Sequence, residues 1–262
     1  MNIKQIVWWL LVTLFVGFSF LYPVLYGPKP LVPEPPVTAR EAEPEMPDFA
    51  SIGQVKDKKS AFFDYLLPEV ERQNDYIMGL RLKIKAIAEA YEQSGVLSAA
   101  DTSRLHWLVK EYKVDSTLPI KEQLSALLRR VDIIPADLVL VQAANESAWG
   151  TSRFATQGYN FFGLWCFRVN CGFVPKQRTD GAVHEVAKFK NLAHATYTYM
   201  RNLNRHQAYK SLREIRYRLR VNQRPITGTA LSEGLMQYSE RGEAYIDELQ
   251  HMIRINREFI ST

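Results

Sequence analysis

Five glycines fall at positions 150, 158, 163, 172 and 181, while on both sides of that stretch the apolar residues recur at helical spacing. Glycine at that density breaks a chain into short pieces, so any sheet is small and is embedded between helices. Upstream, Phe62, Tyr65, Leu66, Val70, Ile77, Leu80, Ile84 and Ile87 are spaced by three, four or seven, which predicts a helix over 58–93 stopped by Gly95. Shorter amphipathic runs follow at 99–112, 121–131 and 136–148, with Pro135 at the first turn of the last. After residue 192 the helical pattern returns at 192–203, 206–220, 228–236 and 243–259. Inside the interruption, Gly172 to Lys176 and Ala182 to Phe189 flank Asp180-Gly181, the signature of a β-hairpin. Alternation puts Val183, Glu185, Ala187 and Phe189 on one face of its second strand. The expected class is α+β, mainly α, with a small β-hairpin lobe and no internal repeat.

The N-terminus carries an address. No charge occurs between Lys4 and Lys29, and Ile6 to Leu25 is almost continuously apolar. About 20 such residues span a bilayer, and the small-residue cleavage pattern of a removable signal is not well placed. The expected layout is a cytoplasmic segment 1–5, a transmembrane signal anchor 6–26, a proline-rich acidic linker 27–50, a helical region 51–130 and a functional domain 131–262. The linker region holds seven of the chain's 13 prolines and would act as an extended, semi-rigid spacer. Flanking charges place the body outside the cytoplasm, hence a single-pass membrane protein with an external domain.

Composition narrows the partners. With 47% hydrophobic and 23% charged residues the chain is no disordered tail. Three bases against five acids precede residue 51, which leaves 30 bases against 23 acids after it and a body of about +7. Such an excess favours an anionic partner, and outside the cytoplasm that partner is not nucleic acid. The stretch 201–224 holds eight bases and one acid, with Arg213, Arg216 and Arg220 on one helical face. It reads either as a solvated basic face or as a surface drawn to anionic polymer or lipid.

The two cysteines, Cys166 and Cys171, suit a small disulfide loop in an oxidising compartment. Free thiols and a metal site are the alternatives, although no histidine pair has zinc-ligand spacing. A cysteine nucleophile, Cys166 with His184 or His194, is a further reading. No phosphate loop, G-x-S-x-G or H-E-x-x-H occurs, and no cofactor is expected.

The densest chemical signal is Val139 to Phe154, VLVQAANESAWGTSRF. Glu146 falls in the last turn of its helix, beside Gln142 at i and i+4. The negative end of a helix disfavours an ionised carboxylate there, and an adjacent Trp149 adds desolvation in the same direction. A raised carboxyl pKa is what a general acid needs near neutrality. NESAWGTSRFA followed by YNFFGLW at Tyr159 to Trp165 resembles the E-S-x-W-G-x-S and N-x-F-G motifs of glucosaminidase domains of glycoside hydrolase family 73, and within it the membrane-anchored Bax-type proteins of Gram-negative bacteria. Asn145 and Ala148 depart from the family's usual apolar residue and glycine. NRHQAYKSL at Asn204 to Leu212 and QYSERGEAY at Gln237 to Tyr245 resemble two further family elements.

The resemblance implies a lysozyme-like fold and an endo-β-N-acetylglucosaminidase that binds peptidoglycan glycan strands and cuts their β-1,4 linkage, with Glu146 as the acid. It also implies Tyr238 pointing into the cleft, Asn160 and Tyr209 near the substrate, and Glu185 as the second carboxylate unless the substrate's acetamido group replaces it. Asp180 serves the turn. Trp149, Phe161 and Phe162 are candidates for stacking on sugar rings, with core packing as the alternative. A non-catalytic wall-binding or scaffold protein is the alternative function.

Overall fold

The computed structural model describes residues 44–175 and 184–260, together with Asn2 and Gln5. The expected membrane span at 6–26, most of the linker and the Asp180-Gly181 turn lie outside the described residues. Among the described residues no helix is long and apolar enough to cross a membrane.

The first described helix, α1 (Val55–Ser94), is 40 residues long, about 60 Å at 1.5 Å per residue. It buries Phe62, Phe63, Leu66, Val70, Ile77, Leu80, Ile84 and Ile87, the stripe expected from the spacing together with Phe63. Gly95 ends it at φ 70°, its N–H closing on Tyr91 O, a conformation glycine adopts without steric cost. Next come α2 (Ala99–Glu111), α3 (Ile120–Arg130), α4 (Ala136–Ser147) and the short α5 (Arg153–Gly158). Three short strands follow, β1 (Trp165–Cys166), β2 (Gly172–Phe173) and β3 (Glu185–Ala187). The chain finishes with α6 (Leu192–Arg205), α7 (Lys210–Val221), α8 (Gly228–Ser232), α9 (Glu243–Ile255) and α10 (Arg257–Ile260), with single 3-10 turns at Gln207–Tyr209 and Glu233–Leu235.

α1 packs against α3, α4, α6 and α10, and one hydrophobic core runs from Phe49 to Ile253. α4 sits at its centre. Leu138 to Ala144 are all buried, an all-round burial that a run apolar but for the hydrogen-bonded Gln142 permits and a solvent-facing helix does not.

The sheet has the order β1-β3-β2, both pairs antiparallel, with Trp165 opposite Val186 and Gly172 opposite Ala187. The strands of the expected hairpin are present, and β1 is an addition. β3 is central, so Glu185, Val186 and Ala187 are all buried instead of alternating. Only glycine fits at 172, where a Cβ would stand 1.9 Å from Val186 O.

At Arg213 and Arg216 the basic stretch departs from both expectations. Arg213 and Arg216 are buried. Arg213 donates to Leu203 O and His206 O, at the end of α6. Arg216 donates to the carbonyls of Arg129, Arg130, Asp132 and Ile133 and to Asn204 Oδ1. Arg81 of α1 takes Leu128 O and Val131 O. The last carbonyls of a helix have no partner within it and carry the negative end of its dipole. Guanidinium groups therefore cap α3 and α6 from inside, and Asp132 balances them through Arg220 at 2.5 Å and Arg81 at 3.5 Å.

Candidate active site

Glu146 is the penultimate residue of α4, as the sequence placed it. The helix closes through Ser147, whose buried hydroxyl donates to Ala143 O at 2.6 Å and accepts from Gly150 N at 2.8 Å. Ala148, Trp149 and Gly150 then follow one another at φ 51°, 57° and 77°. Three left-handed residues in a row reverse the chain immediately after the carboxylate. Position 148 demands a conformation that costs alanine roughly 1–2 kcal/mol.

The NFFG segment explains itself residue by residue. Asn160 is buried and holds the turn, Nδ2 donating to Leu164 O and Ala187 O while Oδ1 accepts from Leu164 N. Phe161, 0% exposed, packs edge-on to Phe62 and tilted against Tyr65 of α1. Phe162 stacks on Tyr199 at 4.1 Å. Gly163, at φ +62°, lets the backbone pass the acid, since a Cβ there would lie 3.0 Å from Glu146 Oε2.

These elements enclose a cleft of about 540 Å³ lined by Glu146, Phe162, Tyr209 and Tyr238, by β1 with the loop after it, and by one face of α6. Among the described residues that line it, Glu146 is the one carboxylate. Its Oε1 accepts the Tyr245 hydroxyl at 2.8 Å. Tyr245 in turn accepts from Gln142 Nε2 at 3.0 Å, and Gln142 Oε1 accepts the Tyr199 hydroxyl. The chain of donors runs one way, from Tyr199 to the carboxylate. Burial raises the Glu146 pKa above the ordinary carboxylate value; the Tyr245 hydrogen bond lowers it, Glu248 raises it and Arg241 lowers it. Desolvation also holds the surrounding phenols neutral, Tyr209 pushed up to about 12 and Tyr199, Tyr238 and Tyr245 raised as well. They are donors at any working pH.

Tyr238 lines the cleft, donates to Phe162 O at 2.8 Å and stacks on Tyr245 with the rings 4° from parallel. Tyr209 lines the cleft beside it, centroids 5.9 Å apart. Trp149 belongs elsewhere: it packs edge-on to Phe62 and Phe63 with Lys59 Nζ over the ring. With Phe161 sealed in the core, neither is placed to stack on sugar. Phe162 reaches the cleft, but one ring face is taken by Tyr199. Asn160 is engaged in the turn.

Glu185 does not line the cleft. Its oxygens accept the backbone N–H of Asn170 at 3.0 Å and of Gly172 at 2.8 Å, shaping the loop that the Cys166–Cys171 disulfide closes. The disulfide answers the cysteine question. Among the described residues, Cys166, Cys171 and Glu185 are the one group with metal-like spacing, yet sulfurs bonded to each other offer no thiolate to a metal or to a substrate.

Sequence reading did not select Tyr245, Tyr199, Gln142 or Gly163 as site residues. A signal existed for Tyr245, which ends the quoted QYSERGEAY segment, and for Gln142, one helical turn before the acid. Tyr199 showed none. Exposed Trp165 (50%) and Phe167 (75%) also line the cleft from the stapled loop, where the expected platform residues do not.

The family model that matches residues 121–258 is described as Glucosaminidase, mannosyl-glycoprotein endo-beta-N-acetylglucosaminidase. The chain is also 34% identical over 217 residues to Protein bax of Escherichia coli (strain K12), covering 82% of this chain and 76% of that protein. No solved structure is recognisably similar. The match reaches from α3 into α10 and contains Glu146, its hydrogen-bond relay and the cleft, and on that extent the chain belongs to the glucosaminidase family of glycosidases as a Bax-type member.

Proposed function

We propose that this protein hydrolyses the glycan strands of peptidoglycan at the N-acetylglucosamine β-1,4 linkage, through a lysozyme-like cleft in which Glu146 is the general acid. The observation that carries this is Glu146 itself, half-buried in the cleft, held above its ordinary pKa by burial and aligned by a single neutral donor, Tyr245. Burial shifts such a carboxyl toward its protonated form, the form that delivers a proton to a leaving oxygen.

For the nucleophile we favour the substrate's own 2-acetamido group. Both Glu185 oxygens already accept amide protons outside the cleft lining. As Glu146 protonates the leaving oxygen and the C1–O bond breaks, the acetamido carbonyl oxygen bonds to C1 and gives a cyclic oxazolinium intermediate. Water then attacks C1, reopening that ring and returning a proton to Glu146. Tyr238, whose proton is spent on Phe162 O, retains oxygen lone pairs that accept the acetamido N–H and orient its carbonyl.

Localisation follows the sequence reading: a single-pass anchor at 6–26 in the inner membrane, with the cleft in the periplasm. The test is release of reducing ends from purified sacculi. Glu146→Gln, folded by circular dichroism, abolishes it, and mass spectrometry of wild-type products finds N-acetylglucosamine at the new reducing end. Retained release by the variant sinks the assignment.

A further inference from the structure

The loop that leaves β1 carries aromatic rings that the chain does not bury. Trp165 is 50% exposed and Phe167 75%, and both line the cleft that holds Glu146. They stand at i and i+2, the spacing that sends side chains to one side of an extended chain. Exposed apolar side chains scattered singly need no explanation, but two aromatic rings together on the wall of a cleft are what ligand sites are lined with.

Three restraints hold that loop. β1 pairs with β3, Trp165 opposite Val186 and Cys166 opposite Glu185. The disulfide joins Cys166, between the two rings, to Cys171. The buried Glu185 carboxylate accepts the N–H of Asn170 and of Gly172, fixing a turn in which Asn170 adopts φ 62°. His184 meets Trp165 edge-on, centroids 4.8 Å apart. None of these contacts serves the acid, and none covers the rings. A loop fixed in this way loses little conformational freedom when a ligand covers its aromatic side chains, which is how preorganisation raises affinity. The electron-rich face of an aromatic ring attracts the weakly positive C–H groups on the flat side of a sugar ring.

We propose that Trp165 and Phe167 form a stacking platform for sugar rings of the strand, and that Glu185 and the Cys166–Cys171 disulfide are its positioning residues. The surface recognised is the neutral C–H face of a pyranose. The inference rests on the glycan-hydrolase reading above. It gives the cysteine pair and the buried carboxylate a shared role outside the bond-breaking step. The platform also takes the place that Trp149 and Phe161, packed against α1, do not fill.

The experiment gives the full-length protein peptide-stripped glycan strands as the probe. Trp165→Leu and Phe167→Leu keep an apolar side chain and remove the ring. Each raises KM by about tenfold, the scale of one lost aromatic anchor, while kcat stays near the wild-type value. Trp165→Tyr, which restores a ring, keeps KM near wild type. Cys166→Ser/Cys171→Ser and Glu185→Gln, each folded by circular dichroism, raise KM in the otherwise wild-type protein and add nothing in the Trp165→Leu/Phe167→Leu background, because they act through the rings. Equal increments in both backgrounds overturn the positioning role. Leucine variants with wild-type KM, or a tyrosine variant no better than leucine, overturn the platform. Calorimetric dissociation constants in the Glu146→Gln background read the same contacts without turnover. Weaker binding by the leucine variants keeps the platform even where the wild-type protein cleaves nothing and the hydrolase reading falls. Unchanged constants overturn the platform, and strands that do not bind at all overturn both.

Discussion

The Tyr245 hydroxyl donates to Glu146 Oε1 at 2.8 Å while accepting from Gln142 Nε2, so the acid is held by a donor whose own orientation is fixed one helical turn before Glu146. Tyr245→Phe removes a hydrogen bond that favours the ionised carboxylate, and the Glu146 pKa rises further. The alkaline limb of the kcat/KM profile moves to higher pH. The variant also leaves Gln142 Nε2 unpaired in the core, a cost of about 1–3 kcal/mol measurable in urea. An unmoved alkaline limb would remove Glu146 as the titrating acid.

Replacing Glu146 by Gln separates activity from stability. Loss of a general acid costs about 10²–10⁴ in rate. Because the folded pKa is raised above the unfolded one, the native carboxyl binds its proton more tightly, and wild-type stability is lost as pH rises through that interval. Glu146→Gln, which still accepts from Tyr245, is therefore more stable than wild type at pH 7, and the gap closes below the ordinary carboxylate pKa. Thermal melts at pH 7 and pH 4 check this.

Backbone conformation after the acid gives a contrasting pair. Ala148→Gly relieves an exposed left-handed residue and raises stability by about 1 kcal/mol. Gly163→Ala strains φ +62° and pushes a methyl to 3.0 Å from Glu146 Oε2, lowering kcat more than stability. Equal effects of the two on kcat would contradict the close approach at 163.

Asp132 anchors the internal arginines. Burial opposes its ionisation, but Arg220, Arg216 and Arg81 outweigh that and hold its carboxyl below the ordinary value. Asp132→Asn leaves buried guanidinium charge uncompensated and destabilises by about 3–5 kcal/mol. Its contribution is present at neutral pH and is lost as pH falls through the folded pKa, so the stability difference between variant and wild type shrinks in acid. Urea unfolding across pH 3 to 7 reads it.

Glu185→Gln tests the second carboxylate. Its loss weakens two amide hydrogen bonds in the stapled loop, and we expect kcat to stay within about tenfold of wild type, against the 10²–10⁴ loss for the acid. A loss matching Glu146→Gln would restore Glu185 to the chemistry.

Much was legible in the chain itself because it depends on neighbours in sequence. The 3.6-residue spacing of Phe62 to Ile87, the stop at Gly95 and the short pieces between Gly150 and Gly181 are local properties. So is Glu146 at a helix end. What the sequence could not settle was the destination of each side chain. Trp149 and Phe161 meet Phe62 of α1, about a hundred residues away, and that contact turns expected sugar platforms into core. Arg213 and Arg216 look like a solvated face until the carbonyl ends of α3 and α6 are brought against them. Glu185 carries a carboxylate into the small lobe, but the loop amides it meets belong to the turn that the disulfide spans.

The sequence by itself determined a mainly helical chain with one glycine-broken lobe and a carboxylate at a helix terminus, because periodicity and positive-φ residues act over a few positions. Only the tertiary structure decided that Tyr199, Gln142 and Tyr245 line up behind that carboxylate and that α6 faces the cleft with its polar side. Hydrogen-bond partners and desolvation depend on distances between segments that no local pattern encodes.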